Sequence, residues 1–213
     1  MIQRFAADML AQAGALIVDY DGTFADTSVA RQTALARALA SHGSELDPEW
    51  YRARIGLSIG DLLDELPDAS RLDRDAIIAA SRSQLLGCLD SIEPVPAVLD
   101  LVRLAVEHRI PCAIASGTTG ALVHPGLDAL GHTGLFAAVV VREDVARGKP
   151  APDLFLTAAD RLGIPAARGL AVDDAPQGIE AARRARMRVL TLHSGLLARV
   201  PNDAAHAIAG GDS

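Results

Sequence analysis

The sequence predicts an α/β fold, a doubly wound and mainly parallel Rossmann-like sheet with an all-helical cap inserted into it. The first observation behind this prediction is that short apolar, β-branched runs alternate with helical patterns in the second half of the chain, which favours parallel crossover connections. The second is that residues 28–92 show helical periodicity and no convincing strand. We therefore assign residues 1–27 and 93–213 to the sheet domain and residues 28–92 to the cap.

Five runs are predicted to be strands because each is short, apolar and rich in residues that suit a buried sheet: Ala15–Val18, Pro111–Ala115, Ala137–Val141, Leu170–Val172 and Arg188–Leu192. The helical patterns around the later strands are Ala97–His108, Leu122–Leu130, Pro152–Leu162 and Gln177–Arg186. The patterns within the cap are Ala30–Ala40, Pro48–Arg54, Ile59–Leu66 and Arg74–Leu89. In the helix predicted from Leu122, we expect Pro125 to lie in the first turn, where proline is tolerated.

Composition and charge narrow the class of protein. The chain has 213 residues, half of them apolar but only 3% aromatic, so Ala, Leu, Val and Ile must form the core. A net charge of −7 disfavours a nucleic-acid partner, whereas a small anionic substrate is compatible with locally focused positive charge.

The cysteines and the hydropathy of the sequence indicate the cellular compartment. Cys88 and Cys112 have no metal or redox spacing, and we expect buried thiols in a reducing compartment. The sequence shows neither a signal-peptide pattern nor an apolar run of membrane-spanning length. We therefore expect a cytoplasmic protein with no membrane partner.

The most informative segment follows the first predicted strand, where the chain reads Asp19-Tyr20-Asp21-Gly22-Thr23. Ligands of open parallel sheets bind beyond the carboxyl ends of the strands. Two carboxylates spaced two residues apart point the same way on continuing strand geometry, and they repel each other unless a cation lies there or one holds a proton. Mg²⁺ prefers such oxygen ligands, and a carboxylate can also be a nucleophile that forms an aspartyl-phosphate. The alternative is a simple turn, because Asp-Gly is a common turn pair.

Lys149 is the only lysine among 20 basic residues. Where a general positive charge is sufficient this chain uses arginine, so the lysine indicates a place that needs a compact ammonium. Its surroundings, Gly148-Lys149-Pro150-Ala151-Pro152, form a stiff loop that favours a fixed side chain. The alternative is the chance survival of a single lysine.

Two further polar segments follow predicted strands. In Ser116-Gly117-Thr118-Thr119, a hydroxyl and exposed backbone N–H groups at a strand-to-helix turn can hold phosphate oxygens, although this is also ordinary loop chemistry. Asp173 and Asp174 follow the fourth strand and could add metal ligands. Their alternative is a helix N-cap ahead of Pro176.

Taken together, the order is Asp-x-Asp-Gly-Thr, then Ser, then Lys, then Asp-Asp, each after a strand. This order resembles the four motifs of the haloacid dehalogenase superfamily, in the subfamily with a helical cap between the first two motifs. The segment Gly178-Ile179-Glu180-Ala181-Ala182 after the paired aspartates is similar to the sugar-phosphatase and β-phosphoglucomutase branch. For this architecture a monomer is the default.

The resemblance implies a role for each motif residue. Asp19 is the nucleophile, and Asp21 is the acid that protonates the leaving oxygen and the base that later activates water. Thr23, Ser116, the Gly117 amide and Lys149 orient the transferring oxygens. Mg²⁺ is held by the Asp19 carboxylate, the Asp21 carbonyl and Asp174, with Asp173 as a further ligand.

Departures from the pattern narrow the activity. True dehalogenases lack the second aspartate of the first motif, which this chain has as Asp21. Phosphonoacetaldehyde hydrolases need a cap lysine to form a Schiff base, and the cap of this chain has no lysine, so that chemistry is excluded. β-Phosphoglucomutases carry a His after the first motif and an Arg in a Gly-Val-Ser-Arg cap loop, where this chain has Arg31 and Gly56-Leu57-Ser58-Ile59. We therefore expect water to be the final acceptor and a small phosphorylated metabolite to be the substrate.

The sequence leaves several substrates and activities open. The segment Asp90–Pro94, together with the Lys149 loop, is most similar to bacterial fructose-1-phosphate phosphatases, and phosphoglycolate and other sugar phosphates stay open. The other activities considered are a β-phosphoglucomutase-type phosphotransferase and a binding module without catalysis. Arg31, Arg52, Arg54 and Ser58 could reach a substrate, but a solvated helix face is the simpler interpretation of each arginine. Trp50 and His124 are interpreted as packing or surface residues.

Overall fold

The computed structural model describes residues 3–54, 59–67 and 69–200. The strands are β1 (Ala15–Val18), β2 (Ala25–Asp26), β3 (Glu93–Pro94), β4 (Cys112–Ala115), β5 (Ala138–Val140), β6 (Gly169–Val172), β7 (Arg188–His193) and β8 (Leu196–Arg199). The helices are α1 (Arg4–Ala11), α2 (Ser28–Ala40), α3 (Pro48–Arg52), α4 (Ile59–Asp64), α5 (Arg74–Leu86), α6 (Pro96–Glu107), α7 (Gly120–Ala129), α8 (Asp153–Arg161) and α9 (Pro176–Arg184). All five predicted strands and all eight predicted helices are confirmed within a few residues.

The predicted α/β sheet is confirmed. Six strands form one sheet in the order β5-β4-β1-β6-β7-β8, in which every pair is parallel except β7 with β8. β1 lies between β4 and β6, with Leu16 opposite Cys112 on one side and Leu170 on the other. Its four residues are all buried, as expected for a central strand covered on both faces.

Successive side chains of the central strands point into two separate apolar layers. Leu16 and Val18 pack on the side of α1, α6 and α7, whereas Ile17 packs on the side of α8 and α9. This alternation follows from the two-residue period of a strand. The doubly wound arrangement therefore buries both faces and leaves the strand ends to form a site.

The segment between β2 and β3 is helical in every regular element that the structure describes there. Its helices have an apolar cluster of their own, which includes Leu35, Leu39, Tyr51, Leu63 and Ile77. At its two ends, Ala25 pairs with Pro94 and Asp26 with Glu93 in a short antiparallel ladder. The two chain crossings into the insertion therefore lie side by side. The boundaries at residues 28 and 92 stay a prediction.

Several features of the fold differ from the sequence prediction, which did not include helix α1 or the strands β2 and β3. The edge strand β8 was missed, although Ser194 and Gly195 separate two apolar runs and have φ of 51° and 75°, as a type I′ hairpin requires. Pro125 lies inside α7 rather than in its first turn, because Glu143 accepts from the N–H of Gly120 and the helix begins there. Cys112 is buried as predicted, but Cys88 is only half-buried.

Helix α7 also approaches the segment after β1 closely. A Cβ added at Gly126 would fall on the hydroxyl oxygen of Tyr20, whose ring is 2% exposed. That hydroxyl has no hydrogen-bond partner in the described residues, and burial raises the pKa of Tyr20. The glycine is therefore required by the close approach of the ring. None of the helices in the described part of the chain has the length and apolarity needed to cross a membrane.

Replacing Gly126 by alanine tests this contact. We expect Gly126→Ala to lower the free energy of unfolding by about 1–3 kcal/mol, because overpacking forces the ring or the helix to move. Urea denaturation measures the loss. The control is Gly134→Ala, where an added Cβ meets nothing within 4 Å. Adding Tyr20→Phe to the first variant should recover part of the loss, and equal stability of the two glycine variants would contradict this assignment.

Candidate active site

The predicted site residues meet at the carboxyl edge of the sheet. Asp19 follows β1, Ser116 follows β4 and Asp173 follows β6, and these three strands are neighbours. Lys149 reaches the same edge from the loop between β5 and α8. Parallel strands bring their carboxyl ends together, so residues more than 100 positions apart in sequence become neighbours in space.

Lys149 lies between two buried carboxylates. Its Nζ is 2.5 Å from Asp19 Oδ1 and 2.7 Å from Asp173 Oδ2. Burial alone would lower the pKa of Lys149, but the charges of Asp173 and Asp19 outweigh that effect and raise it. The lysine therefore stays protonated and supplies the positive charge that the two carboxylates need. The single lysine of the chain has the fixed, charged position that the composition indicated.

Asp19, Asp173 and Asp174 form an acidic cluster, with carboxylate oxygens all within 4.8 Å of one another. Burial raises the pKa of Asp19 well above its ordinary value, although the charge of Lys149 opposes the rise. Burial also raises the pKa of Asp174, with Thr23 opposing. Three hard oxygen donors with one ammonium among them leave excess negative charge, so the donor set fits a divalent cation such as Mg²⁺.

Asp173 is fixed by the start of α9. Its Oδ1 accepts from the N–H of Ala175 at 3.0 Å, which closes the turn before Pro176. The N-cap of α9 is Ala175 itself, with no side-chain capping bond, so the helix N-cap considered from the sequence is not formed by Asp173. A Cβ at position 178 would overlap the same carboxylate, so Gly178 is needed for α9 to approach it. The N-cap alternative is wrong for Asp173, and its part as a metal ligand stays a prediction.

Asp21 is outside the acidic cluster and faces the helical insertion. Its Oδ1 accepts from the Thr27 hydroxyl at 2.9 Å, and its Oδ2 accepts from the Thr118 hydroxyl and lies 2.7 Å from Arg31 Nη1. Burial would raise the pKa of Asp21, but the charge of Arg31 and these hydrogen bonds together lower it. Asp19 and Asp21 therefore have separate cationic partners.

The predicted phosphate-binding residues have partners within the protein. The Thr23 hydroxyl is fully buried, donates to Asp174 Oδ1 at 2.6 Å and accepts from the Asp174 N–H at 3.0 Å, so in this structure it orients Asp174. Ser116 is buried and its Oγ accepts from the Thr118 N–H at 3.0 Å. Gly117 is exposed, and the space that a Cβ would take is open to 4 Å. The loop therefore leaves room beside Ser116 for a ligand.

Sequence reasoning missed the roles of Thr27 and Thr118 as partners of Asp21. Thr118 lies in the segment Ser116–Thr119 after β4, but nothing in the sequence distinguishes its hydroxyl from those of ordinary loop threonines. Of the three arginines that the sequence suggested as solvated helix faces, only Arg52 is exposed, whereas Arg31 contacts Asp21. Arg52 is exposed beside Glu49, and Arg54 pairs with Glu65 and covers the Trp50 ring at 4.2 Å. Ser58, with Gly56 and Leu57 of the mutase comparison, lies outside the described residues, and His124 is exposed.

Comparisons with known proteins agree with this geometry. The family model described as haloacid dehalogenase-like hydrolase matches residues 16–192. The fructose-1-phosphate phosphatase YqaB of Escherichia coli is 36% identical over 182 residues, which cover 81% of this chain and 92% of that protein. Protein CbbY of Rhodobacter capsulatus is 30% identical, covering 83% of each chain. A crystal structure of CbbY from Rhodobacter sphaeroides with phosphate has a TM-score of 0.75 at 26% identity, covering 84% of this chain and 85% of that one.

Removing the ammonium tests its part in holding the acidic edge together. We expect Lys149→Met to lower the free energy of unfolding by about 3 kcal/mol in the presence of a chelator, because two buried carboxylates lose their counter-charge. Added Mg²⁺ should recover part of the loss. Urea denaturation measures both effects.

The matched control is Arg147→Met in the same loop, which removes an exposed ion pair with Asp153. An exposed pair contributes at most about 1 kcal/mol. If Lys149→Met were no more destabilising than Arg147→Met, the bridge would not be a major stabilising interaction.

Proposed function

We propose that this member of the haloacid dehalogenase-like hydrolases is a Mg²⁺-dependent phosphatase that works through an aspartyl-phosphate on Asp19. The chain belongs to that family and is a phosphoric monoester hydrolase of the sugar-phosphatase branch. The observation that carries the proposal is that the two carboxylates of the first motif, Asp19 and Asp21, are each paired with a different cation. Lys149 holds Asp19 at the sheet edge, and Arg31 holds Asp21 on the side of the insertion.

In the first step, an Asp19 carboxylate oxygen attacks the phosphorus of the substrate. The new bond from this oxygen to phosphorus forms as the bond from phosphorus to the ester oxygen breaks. Because Arg31 lowers the pKa of Asp21, the Asp21 carboxylate must first take up a proton from the arriving substrate or from water. It then gives this proton to the leaving oxygen, which departs as the alcohol. In this proposal Lys149, the Ser116 hydroxyl and the Gly117 N–H orient and neutralise the oxygens of the phosphoryl group. The support is that Lys149 contacts Asp19 and that Ser116 is buried at the same edge of the sheet.

In the second step, water attacks the phosphorus of the aspartyl-phosphate. Asp21, now ionised, takes a proton from that water, inorganic phosphate leaves and the Asp19 carboxylate is restored. The three donors around Asp21 keep its carboxylate in one place for both steps. A substrate held between the sheet edge and the insertion is shielded from bulk water.

The metal would be held by Asp19, Asp174 and the Asp21 carbonyl, with Asp173 as a further ligand. When bound, Mg²⁺ supplies positive charge that offsets the repulsion between the Asp19 carboxylate and a phosphate dianion. Thr23 serves this site by fixing Asp174 through two hydrogen bonds.

The substrate we propose is a small sugar phosphate, with fructose 1-phosphate as the first compound to test. The support is the Escherichia coli relative named for that activity, at 36% identity over most of both chains. Arg31 stands where the mutases carry a His, which supports water rather than a sugar hydroxyl as the final acceptor. We further propose a cytoplasmic protein, since both cysteines are free thiols, and a monomer, which is the default for this architecture.

Phosphate release from a panel of sugar phosphates and phosphoglycolate tests the proposal. We expect Mg²⁺-dependent release that chelator abolishes, with no detectable release in Asp19→Asn. In Asp21→Asn, kcat should fall about 10²- to 10⁴-fold, because the proton donor is lost. Circular dichroism verifies that both variants fold.

The control is Asp160→Asn on α8, which removes an exposed carboxylate away from the sheet edge and should retain full activity. Undiminished hydrolysis in Asp19→Asn would refute the proposed nucleophile. Release that does not respond to chelator would refute the metal requirement.

A further inference from the structure

Arg31 is the cap residue that touches the reacting groups. It lies in the first turns of α2, and its Nη1 is 2.7 Å from Asp21 Oδ2 and 3.1 Å from Thr118 Oγ1. Three other described arginines of the insertion with ion-pair partners lie elsewhere, Arg52 beside Glu49, Arg54 beside Glu65 and Arg74 beside Asp64. Among the described residues, the insertion thus contributes one cation to the carboxylate that faces it.

The position of Asp21 fixes where Arg31 lies relative to a substrate. In the function proposed above, Asp21 delivers its proton to the leaving oxygen, so its carboxylate must lie against that oxygen. A nitrogen at hydrogen-bond distance from the same carboxylate then lies beside the leaving group. Lys149, by contrast, contacts the nucleophile Asp19 on the opposite side of the transferring phosphorus.

The guanidinium can hold a further acceptor without releasing Asp21. Both contacts described above use Nη1, and a guanidinium has five N–H donors spread over three nitrogens in one plane. Tyr51, which is 7% exposed, interacts with Arg31 through the arginine charge and a side-chain hydrogen bond, so its phenol engages part of these donors. The two side chains together form a polar wall on the leaving-group side of the site.

We propose that Arg31 is a specificity-determining residue that binds an oxygen on the carbon next to the phosphorylated carbon of the substrate. The proposal rests on the phosphatase mechanism above and names its substrate class: phosphate esters with a hydroxyl, carbonyl or carboxylate oxygen at that position. Two carbons separate such an oxygen from the ester oxygen that Asp21 protonates, so it would lie within reach of an arginine that contacts Asp21 at 2.7 Å. Because arginine is always a donor and never an acceptor, esters without that oxygen are disfavoured.

The test compares substrates that differ only in that oxygen. The pair is 2-hydroxyethyl phosphate and ethyl phosphate, and phosphoglycolate adds the carboxylate form, so the series separates a neutral acceptor from an anionic one. We expect the native enzyme to favour each oxygenated ester over ethyl phosphate about 10- to 100-fold in kcat/KM, as for a hydrogen bond to a charged group. In Arg31→Gln this ratio should fall close to one, and Arg31→Lys should keep an intermediate ratio for the carboxylate.

The ratio separates substrate binding from positioning. Any loss that Arg31→Gln causes through Asp21 affects both esters equally and cancels in the ratio. Arg37→Gln is the matched control, because Arg37 is an exposed arginine of the same helix, and it should leave the ratio unchanged.

An unchanged ratio in folded Arg31→Gln would overturn the proposal, since Arg31 would then only position Asp21. If that variant does not fold, a native ratio near one would overturn it independently. Neither result affects the phosphatase mechanism, whose own failure is hydrolysis of p-nitrophenyl phosphate by Asp19→Asn.

Discussion

The Lys149 ammonium, held between the buried carboxylates of Asp19 and Asp173, is the interaction on which the rest of the site depends. Asp173 is fully buried and Asp19 is 6% exposed, so neither could stay ionised at low cost without a partner. The lysine joins the ends of two adjacent strands to the loop before α8. The third carboxylate of the cluster, that of Asp174, accepts from the Thr23 hydroxyl instead.

The second cation of the site is the guanidinium of Arg31, which lies on the side of the helical insertion. Arg31 pairs with Asp21, so the two carboxylates of the first motif, only two residues apart, belong to different charge networks. The network of Asp19 is built from the sheet domain alone. The network of Asp21 joins the sheet domain to the insertion through Thr27 and Arg31. A movement of α2 therefore changes the hydrogen bonds of the proposed acid directly, whereas the proposed nucleophile interacts with Arg31 only through its charge.

Most of the sheet could be predicted because its strands are buried on both faces and therefore read as short apolar runs. The edge strand β8 and the pair β2–β3 have few buried side chains, so tertiary pairing rather than composition determines them. Helix α1 was also missed, since only Ala6 and Leu10 are buried among its eight residues.

The site residues could be predicted because each follows a strand, and strand ends converge. The partners of Asp21 could not, because they depend on how α2 lies against the loop after β4. Spacing along the chain does not encode that contact. The close approach of Tyr20 to Gly126 is of the same kind, since a glycine inside a helix gives no sign of which ring it accommodates.

Direct detection of a phosphoryl group on Asp19 tests the central claim most directly. The enzyme is mixed with fructose 1-phosphate and Mg²⁺, quenched in acid at times within one turnover, and digested for peptide mass spectrometry. We expect a phosphorylated peptide containing Asp19 that appears before free phosphate, decays as phosphate is released, and is absent in Asp19→Asn. Full phosphate release with Asp19 unmodified at every time point, or with the phosphoryl group on another residue, would contradict this claim.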